Sequence, residues 1–217
     1  MSYNREMTAR IPAPEPLIGR FIRLDVMTDE DLPDLWKAIG RPQVFADGYG
    51  GGLAALPKDL AGFKKFASRY YSRTRKNVYT VRLVGGDADG TVVGTTTLGD
   101  FDLPREAAHI GWTAYDPAVW GTAVNAEAKL LLLNLAFSSG FGRVRIQADA
   151  LNDHSRAAIL KLGAKFEGLL RRDQRRADGT WRTTAIYSVI VDEWPDVRHG
   201  LETRLARWTR PVDLRAA

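Results

Sequence analysis

The amino-acid sequence predicts an α+β fold: a mixed, mostly antiparallel sheet of about seven strands flanked by helices. Three observations lead there. Alternating apolar and polar runs recur along the chain with the period of half-buried strands. Apolar residues at helical spacing separate several of these runs. Two turn-rich connections, Gly85-Gly86-Asp87-Ala88-Asp89-Gly90 and Asp178-Gly179, join neighbouring strands in the manner of hairpins, which makes antiparallel pairing the rule. With 217 residues, 45% of them hydrophobic, the chain can bury a proper core, and no repeat or composition break marks a second domain.

The elements follow in order. Met1 to Pro16 is proline-rich and polar without apolar periodicity, and reads as a tail, draped over the surface or disordered. The domain spans 17–208, and 209–217 forms a C-terminal tail. Arg20 to Val26 (RFIRLDV) alternates as a first strand. Thr28 and the acidic Asp29-Glu30-Asp31 cap and open a helix that runs to Ile39. Gly48 to Leu53 (GYGGGL) is a flexible loop able to wall a pocket. Lys58 to Arg75 is helical, with Leu60, Phe63, Phe66 and Tyr70 on one face. Val78 to Val84, Thr91 to Gly99 and His109 to Tyr115 form a meander. A helix from the Trp120 region to about Ser139 is apolar almost all round, which argues burial against the sheet, and Gly140 and Gly142 end it. Arg143 to Asp149 alternates cleanly, Asn152 to Leu162 is a capped short helix stopped by Gly163, Lys165 to Leu170 and Arg182 to Val191 are the last strands, and Glu193 to Trp208 closes as a helix.

Composition narrows the chemistry. Zero cysteines exclude disulfides, zinc–thiolate sites and a thiol nucleophile, so oxygen or nitrogen groups or a ligand must act. No metal site is assigned. No apolar run has the length of a membrane span, and MSYNREMTARIPAPEP has neither the apolar core of a signal peptide nor the character of a transit peptide, so a cytoplasmic protein without a membrane partner is expected. A net charge of +5 favours an anionic partner. The excess is mild for nucleic acid, and a polyanionic ligand satisfies it equally.

The stretch Trp120 to Ala128 (WGTAVNAEA) names the anion's place. A strand, a small-residue turn and a helix N-terminus leave unpaired backbone N–H groups and the positive end of the helix dipole facing whatever docks. A pyrophosphate suits it. The turn has neither the GxxxxGK[ST] of a P-loop nor the third glycine of a dinucleotide fingerprint.

Three texts in order carry a resemblance: LIGRFIRL at the first strand, WGTAVNAEAKLLLL at the turn and helix, and LNDHSRAAILKLGAKFEGLLR followed by DGTWRTTAIYSVIVDEW. From about Leu17 to Leu205 the chain resembles the GCN5-related N-acetyltransferases (GNAT), within them the RimJ/RimL-like branch that acetylates ribosomal-protein N-termini and has relatives acting on small amines. The resemblance implies acetyl-coenzyme A as acetyl donor. The family's Q/R-x-x-G-x-G/A turn aligns with Gly121-Thr122-Ala123, and Ala118 departs from it by replacing Gln or Arg. Because backbone donors hold phosphate, that loss should not abolish the site. Cofactor contacts are thereby expected from Trp112, Thr113, Trp120, Gly121, Thr122, Ala123, Val124, Asn125, Asn152 and Ser155. Asn152 also suits a helix cap. The family's tyrosine acid, seven positions after that asparagine, is Ile159 here, which makes Ser155 the candidate to protonate the departing thiolate.

Transfer to an amine also requires a base, since an amine with a pKa of about 8 to 10 is largely protonated at neutral pH. The family often uses a glutamate on the strand before the turn; His109 stands there, with Glu106, Asp100 and Asp102 as rivals. A solvated or core-satisfied histidine is the bland alternative. Strand alternation would put His109, Gly111, Thr113 and Tyr115 on one face and Ile110, Trp112 and Ala114 on the other. Glu127 is the weaker base, because a carboxylate near a helix start serves the dipole. Phe45, Asp47 and Tyr49 are the expected acceptor wall. Arg171, Arg172, Arg175 and Arg176 form a basic cluster able to hold an acidic substrate, RNA or the 3′-phosphate of coenzyme A, although a solvated hairpin tip is the commoner explanation. The expected function is acetyl transfer by direct attack in a ternary complex, onto a protein N-terminus or a small amine, with a homodimer left open. The alternative is a catalytically silent, coenzyme A-binding or regulatory domain, with or without RNA.

Overall fold

The computed structural model describes residues 9–214. One eight-stranded sheet runs in the order β1-β2-β3-β4-β5-β6-β8-β7. The meander is β1 (Leu17–Ile18), β2 (Ile22–Val26), β3 (Asn77–Leu83), β4 (Val92–Asp102) and β5 (Ala107–Tyr115), all antiparallel. Next comes β6 (Arg143–Asp149), parallel to β5, followed by β7 (Lys165–Arg175) and β8 (Trp181–Ile190). The seven expected strands are present. The eighth, β1, is a two-residue edge too short to show alternation.

Helices cover both faces. On one, α1 (Leu32–Ile39), α2 (Pro42–Ala46) and α3 (Leu60–Tyr70) bury Leu35, Ile39, Phe45 and Phe63 in a core that also takes Val78 and Ala114 from the sheet. On the other, α4 (Ala123–Ser138), α5 (Asp153–Lys161) and α6 (Trp194–Ala206) share a core with Ile22, Leu24, Val81, Ile110, Val144 and Val189.

Several boundaries move for identifiable reasons. Asp59 caps α3 by accepting from Gly62 N at 2.7 Å, so the helix begins after Lys58. It ends at Tyr70 because Tyr71 turns extended and is buried, its hydroxyl paired with that of Tyr49. The one-turn α2 has no periodicity to announce it and follows from Pro42 at a helix start. Thr28 and Asp31 form a capping pair, but the first turn is 3₁₀ and α1 proper begins at Leu32. Of the expected N-terminal tail, Met1–Met7 and Thr8 lie outside the described residues. The part from Ala9 onward is laid on the surface by Arg10 N to Ser139 O at 2.9 Å and Asn77 Nδ2 to Pro12 O at 2.9 Å.

The all-round apolar helix is α4, and its buried Glu127 does more than meet a dipole. The carboxylate accepts three backbone N–H groups, from Arg20 at 2.8 Å, Phe21 at 2.7 Å and Ile22 at 2.8 Å. It thereby closes the β1–β2 turn and fixes the sheet edge to α4. Gly19 has no room for a side chain, since a Cβ there would lie 2.5 Å from the Glu127 carboxyl carbon. Hydrogen bonds to a charged group contribute about 1.5–3 kcal/mol each, and orphaned buried donors add their own cost. Glu127→Ala is expected to lower the unfolding free energy by about 3 kcal/mol and the melting temperature by about 10 °C. Thermal denaturation followed by circular dichroism measures this, and a drop below about 2 °C would contradict the role.

Candidate active site

Two bulges on adjacent strands shape the site. Thr95 pairs with Ala114 and Thr97 with Gly111, so the single residue Thr96 opposes both Trp112 and Thr113. Trp112 takes φ +50°, a left-handed conformation that bulky side chains rarely adopt. The extra residue changes the parity of β5. Ile110 and Tyr115 pack in the α4 core, whereas Trp112 and Ala114 pack in the α1 core. The plain alternation expected from sequence is therefore corrected: His109 shares its face with Trp112, their rings 5.0 Å apart, and Thr113 and Tyr115 turn to the α4 face. The second bulge sets Asp100 and Phe101 of β4 opposite Ala108, with Asp100 at φ +47°. It re-aims the Asp100 carboxylate toward β5.

The parallel ladder between β5 and β6 ends at Ile110 and Ile146, although β5 continues to Tyr115 and β6 to Asp149. Past that point the strands part. A cavity of about 640 Å³ fills the opening, bounded by β5, β6, the start of α4, α5 and the loop after α2.

At one end lies the N-terminus of α4. Thr122 caps it, bonding Val119 O at 2.6 Å and accepting from Val124 N at 3.4 Å; the other first-turn N–H groups have no intrahelical acceptor. Gly121 has φ +72°, and a Cβ built on it would meet nothing within 4 Å, so the backbone is open to a close ligand. Asn152 caps α5 by accepting from Ser155 N at 2.7 Å, and its Nδ2 donates to Asp47 O at 2.9 Å. One asparagine thus joins both sides of the cavity mouth.

Deeper in, His109 is 4% exposed. Its Nδ1 lies 3.0 Å from Asp100 Oδ2, and Nε2 has no hydrogen-bond partner among the described residues. Burial holds the imidazole below its ordinary 6.5, so it is neutral at pH 7. Asp100, lowered chiefly by the His109 hydrogen bond, also meets Arg145 at 3.2 Å and Lys76 at 3.6 Å. An ionised carboxylate accepts a hydrogen bond from Nδ1–H, which keeps the proton on Nδ1 and leaves the Nε2 lone pair free. Gly111 makes room for the ring, since a Cβ there would stand 2.7 Å from His109 Cε1.

The remaining wall is aromatic. Tyr49 and Tyr70 line the cavity, their rings 5.4 Å apart, with Phe45 fully buried behind Tyr49. Arg182 also lines it, with a buried Nε that has no partner among the described residues. Four cavity-lining residues carry orphaned buried atoms among the described residues, His109 Nε2, Arg182 Nε, Arg145 Nε and the Tyr115 hydroxyl, and such atoms are those a ligand would satisfy.

Residues 22–165 match the Acetyltransferase (GNAT) domain family. The chain belongs to the GNAT acetyltransferases. Among curated proteins no match is found. Solved structures agree on the fold. A T. thermophilus protein assigned to the acetyltransferases is 29% identical with TM-score 0.75, covering 90% of this chain and 100% of that one. A GCN5-related N-acetyltransferase from Brucella melitensis is 24% identical with TM-score 0.80, covering 89% and 86%. Mycobacterium smegmatis RimJ in complex with CoA-disulfide is 21% identical with TM-score 0.68, covering 87% and 92%.

In this GNAT acetyltransferase the cavity brings together His109, Trp112, Thr113, Trp120, Gly121, Thr122, Asn125, Asn152, Ser155, Asp47 and Tyr49. Ala123 and Val124 are fully buried behind the turn, so only their backbone can serve a ligand. Glu106 is not on the cavity wall; its carbonyl binds Gly142 N and Arg143 N at the other end of β5. Arg176 of the basic cluster clamps the buried Asp149 at 2.6 Å, and Arg172 and Arg175 cover the Trp181 ring. Two residues escape a reading of the sequence. Asp100 stands there only as a rival base, because a bulge is what turns it toward His109. Lys129 draws no notice, although a charge inside an all-apolar helix is itself a signal.

The fit of Gly111 against the imidazole is testable. Gly111→Ala should displace the ring and break the Nδ1–Asp100 bond, removing the His109 Nδ1 proton signal from the nitrogen-15 spectrum and lowering the melting temperature by several degrees. An unchanged spectrum would show that the ring has other room.

Proposed function

We propose that this acetyltransferase binds acetyl-coenzyme A along the gap between β5 and β6 and transfers the acetyl group to a primary amine, of a protein N-terminus or a small molecule, by direct attack in a ternary complex. One observation carries the reading. A single cavity connects an open helix N-terminus to an unpartnered imidazole nitrogen through the split between the two strands. The α4 N–H groups and the Gly121 backbone suit the pyrophosphate. Backbone groups that β5 no longer shares with β6 suit the amides of an extended arm, and Asn152 stands at the mouth.

His109 acts as base. The amine nitrogen loses its proton to Nε2 as it bonds the acetyl carbon, while Asp100 supports the imidazolium that forms. A nucleophilic cysteine route has no residue to run on. Tyr49 and Tyr70 offer rings to the acceptor, and the Asp47 carboxylate lies at the same end to pair with an ammonium. The RimJ-like fold favours acceptors of that branch, among them peptide N-termini.

Thiol release from acetyl-coenzyme A against a panel of peptide N-termini, amino acids and polyamines tests the reading. Turnover on at least one amine is expected. Coenzyme A binding without turnover on any amine would instead support a silent domain. His109→Ala should lower kcat/KM about 100-fold or more and leave coenzyme A affinity unchanged. Wild type loses activity as pH falls and Nε2 takes a proton, with a midpoint below 6.5. The variant should lack that acidic limb; a retained limb would remove His109 from the mechanism.

A further inference from the structure

We propose that Lys129, through the Thr113 hydroxyl, donates the proton to the sulfur that departs during acetyl transfer. This rests on the reading above. Lys129 stands one turn beyond Asn125 on α4, and both line the cavity together with Gly121 and Thr122. It is 4% exposed. Its Nζ lies 3.0 Å from Thr113 Oγ1 and 3.4 Å from Thr96 Oγ1, and the two hydroxyls are 2.8 Å apart. The β5 bulge is what aims Thr113 at this face. Three polar groups therefore close a proton-holding triangle against the wall of the cavity, and no carboxylate is among them.

The neighbouring carboxylates are committed elsewhere, and the neighbouring phenols are neutral. On β2, Asp25 pairs with Arg82; on β4 and β6, Asp100 holds His109 and Arg145. On α4 itself Glu127 closes the β1–β2 turn. Tyr79 of β3 and Tyr115 of β5 are buried phenols raised above their ordinary range, and Tyr187 of β8 binds Arg156. Arg198 and Glu202 of α6 pair with each other. With no countercharge, burial pushes Lys129 down to about 7. An ammonium so placed has no anion until one appears in the cavity, and thioester cleavage creates one.

The step balances. As the amine nitrogen bonds the acetyl carbon, the carbon–sulfur bond breaks and its electron pair stays on sulfur. Lys129 Nζ passes a proton to Thr113 Oγ1, and the Thr113 hydroxyl proton goes to sulfur. His109 holds the proton taken from the amine. Solvent then receives one proton from His109 and returns one to Lys129.

Wild type, Lys129→Met, Lys129→Arg and Thr113→Val are compared as full chains with acetyl-coenzyme A and the best acceptor. Loss of the ammonium as pH rises gives wild type an alkaline limb. Lys129→Met should lower kcat about 100-fold, keep KM for acetyl-coenzyme A within about threefold, and abolish that limb. Lys129→Arg should retain more activity and move the limb above about pH 10, because arginine stays charged. Thr113→Val should resemble Lys129→Met. A second readout needs no turnover: the ultraviolet thiolate absorbance of bound coenzyme A should titrate at lower pH in wild type than in Lys129→Met. Removal of a buried, uncompensated charge should also raise the variant's melting temperature at pH 7, which separates lost chemistry from lost folding. Wild-type kcat, limb and thiol titration in Lys129→Met would overturn the proposal. Failure of wild type on every amine would overturn the functional reading, and the thiol titration would still decide Lys129.

Discussion

The bulge at Trp112 and Thr113 is the constraint on which the rest of the site depends. One extra residue against Thr96 reverses which side chains of β5 face which core. It leaves His109 beside Trp112 on the α1 side and swings Thr113 to Lys129 on the α4 side. It also bends β5 away from β6 just beyond Ile110, where the parallel ladder ends. A left-handed tryptophan costs on the order of 1–3 kcal/mol, so surrounding packing must impose it. The indole is held by the His109 ring and by Lys76, whose Nζ lies 3.3 Å from the ring centroid. A cation over an aromatic face is worth about as much as the strain it offsets.

The same logic explains why a small region carries several charges, each held by its own partners. Asp100, itself at a bulge, meets His109, Arg145 and Lys76 at once. Glu127 trades its solvation for three backbone donors. Both are compensated, the half-exposed Asp100 by cations and the buried Glu127 by backbone donors, as a buried charge must be. Lys129 is the exception, satisfied by hydroxyls alone, and it stands on the cavity wall.

Much of this was legible in the residues. The strands that alternate, Arg143 to Asp149 above all, appear where their period puts them, and WGTAVNAEA opens α4 with Thr122 as cap. Local texts of this kind work because capping and alternation are short-range. The two bulges are not short-range. Nothing in AAHIGWTAYDP marks Trp112 as the extra residue, because the bulge is defined by its register against Thr96, in another strand. The expected facing of β5 failed there and nowhere earlier in the strand. Asp100 was missed as the partner of His109 for the same reason, and Glu106, close in sequence, lies at the far end of the strand. Lys129 is readable in principle, since a helix apolar on every side buries whatever charge it contains.

A base and an acid that act in one step must not exchange protons with each other. Burial depresses both His109 and Lys129, so shifts of opposite direction do not keep their protons apart. Geometry does it instead. They stand on opposite faces of β5, with the strand between them and each bonded to its own partners: Asp100 for one, Thr113 and Thr96 for the other. Acid and base roles are more often separated by pushing two pKa values in opposite directions. Here the sheet itself is the separator, and a substrate threaded through the gap between β5 and β6 is what would connect the two faces.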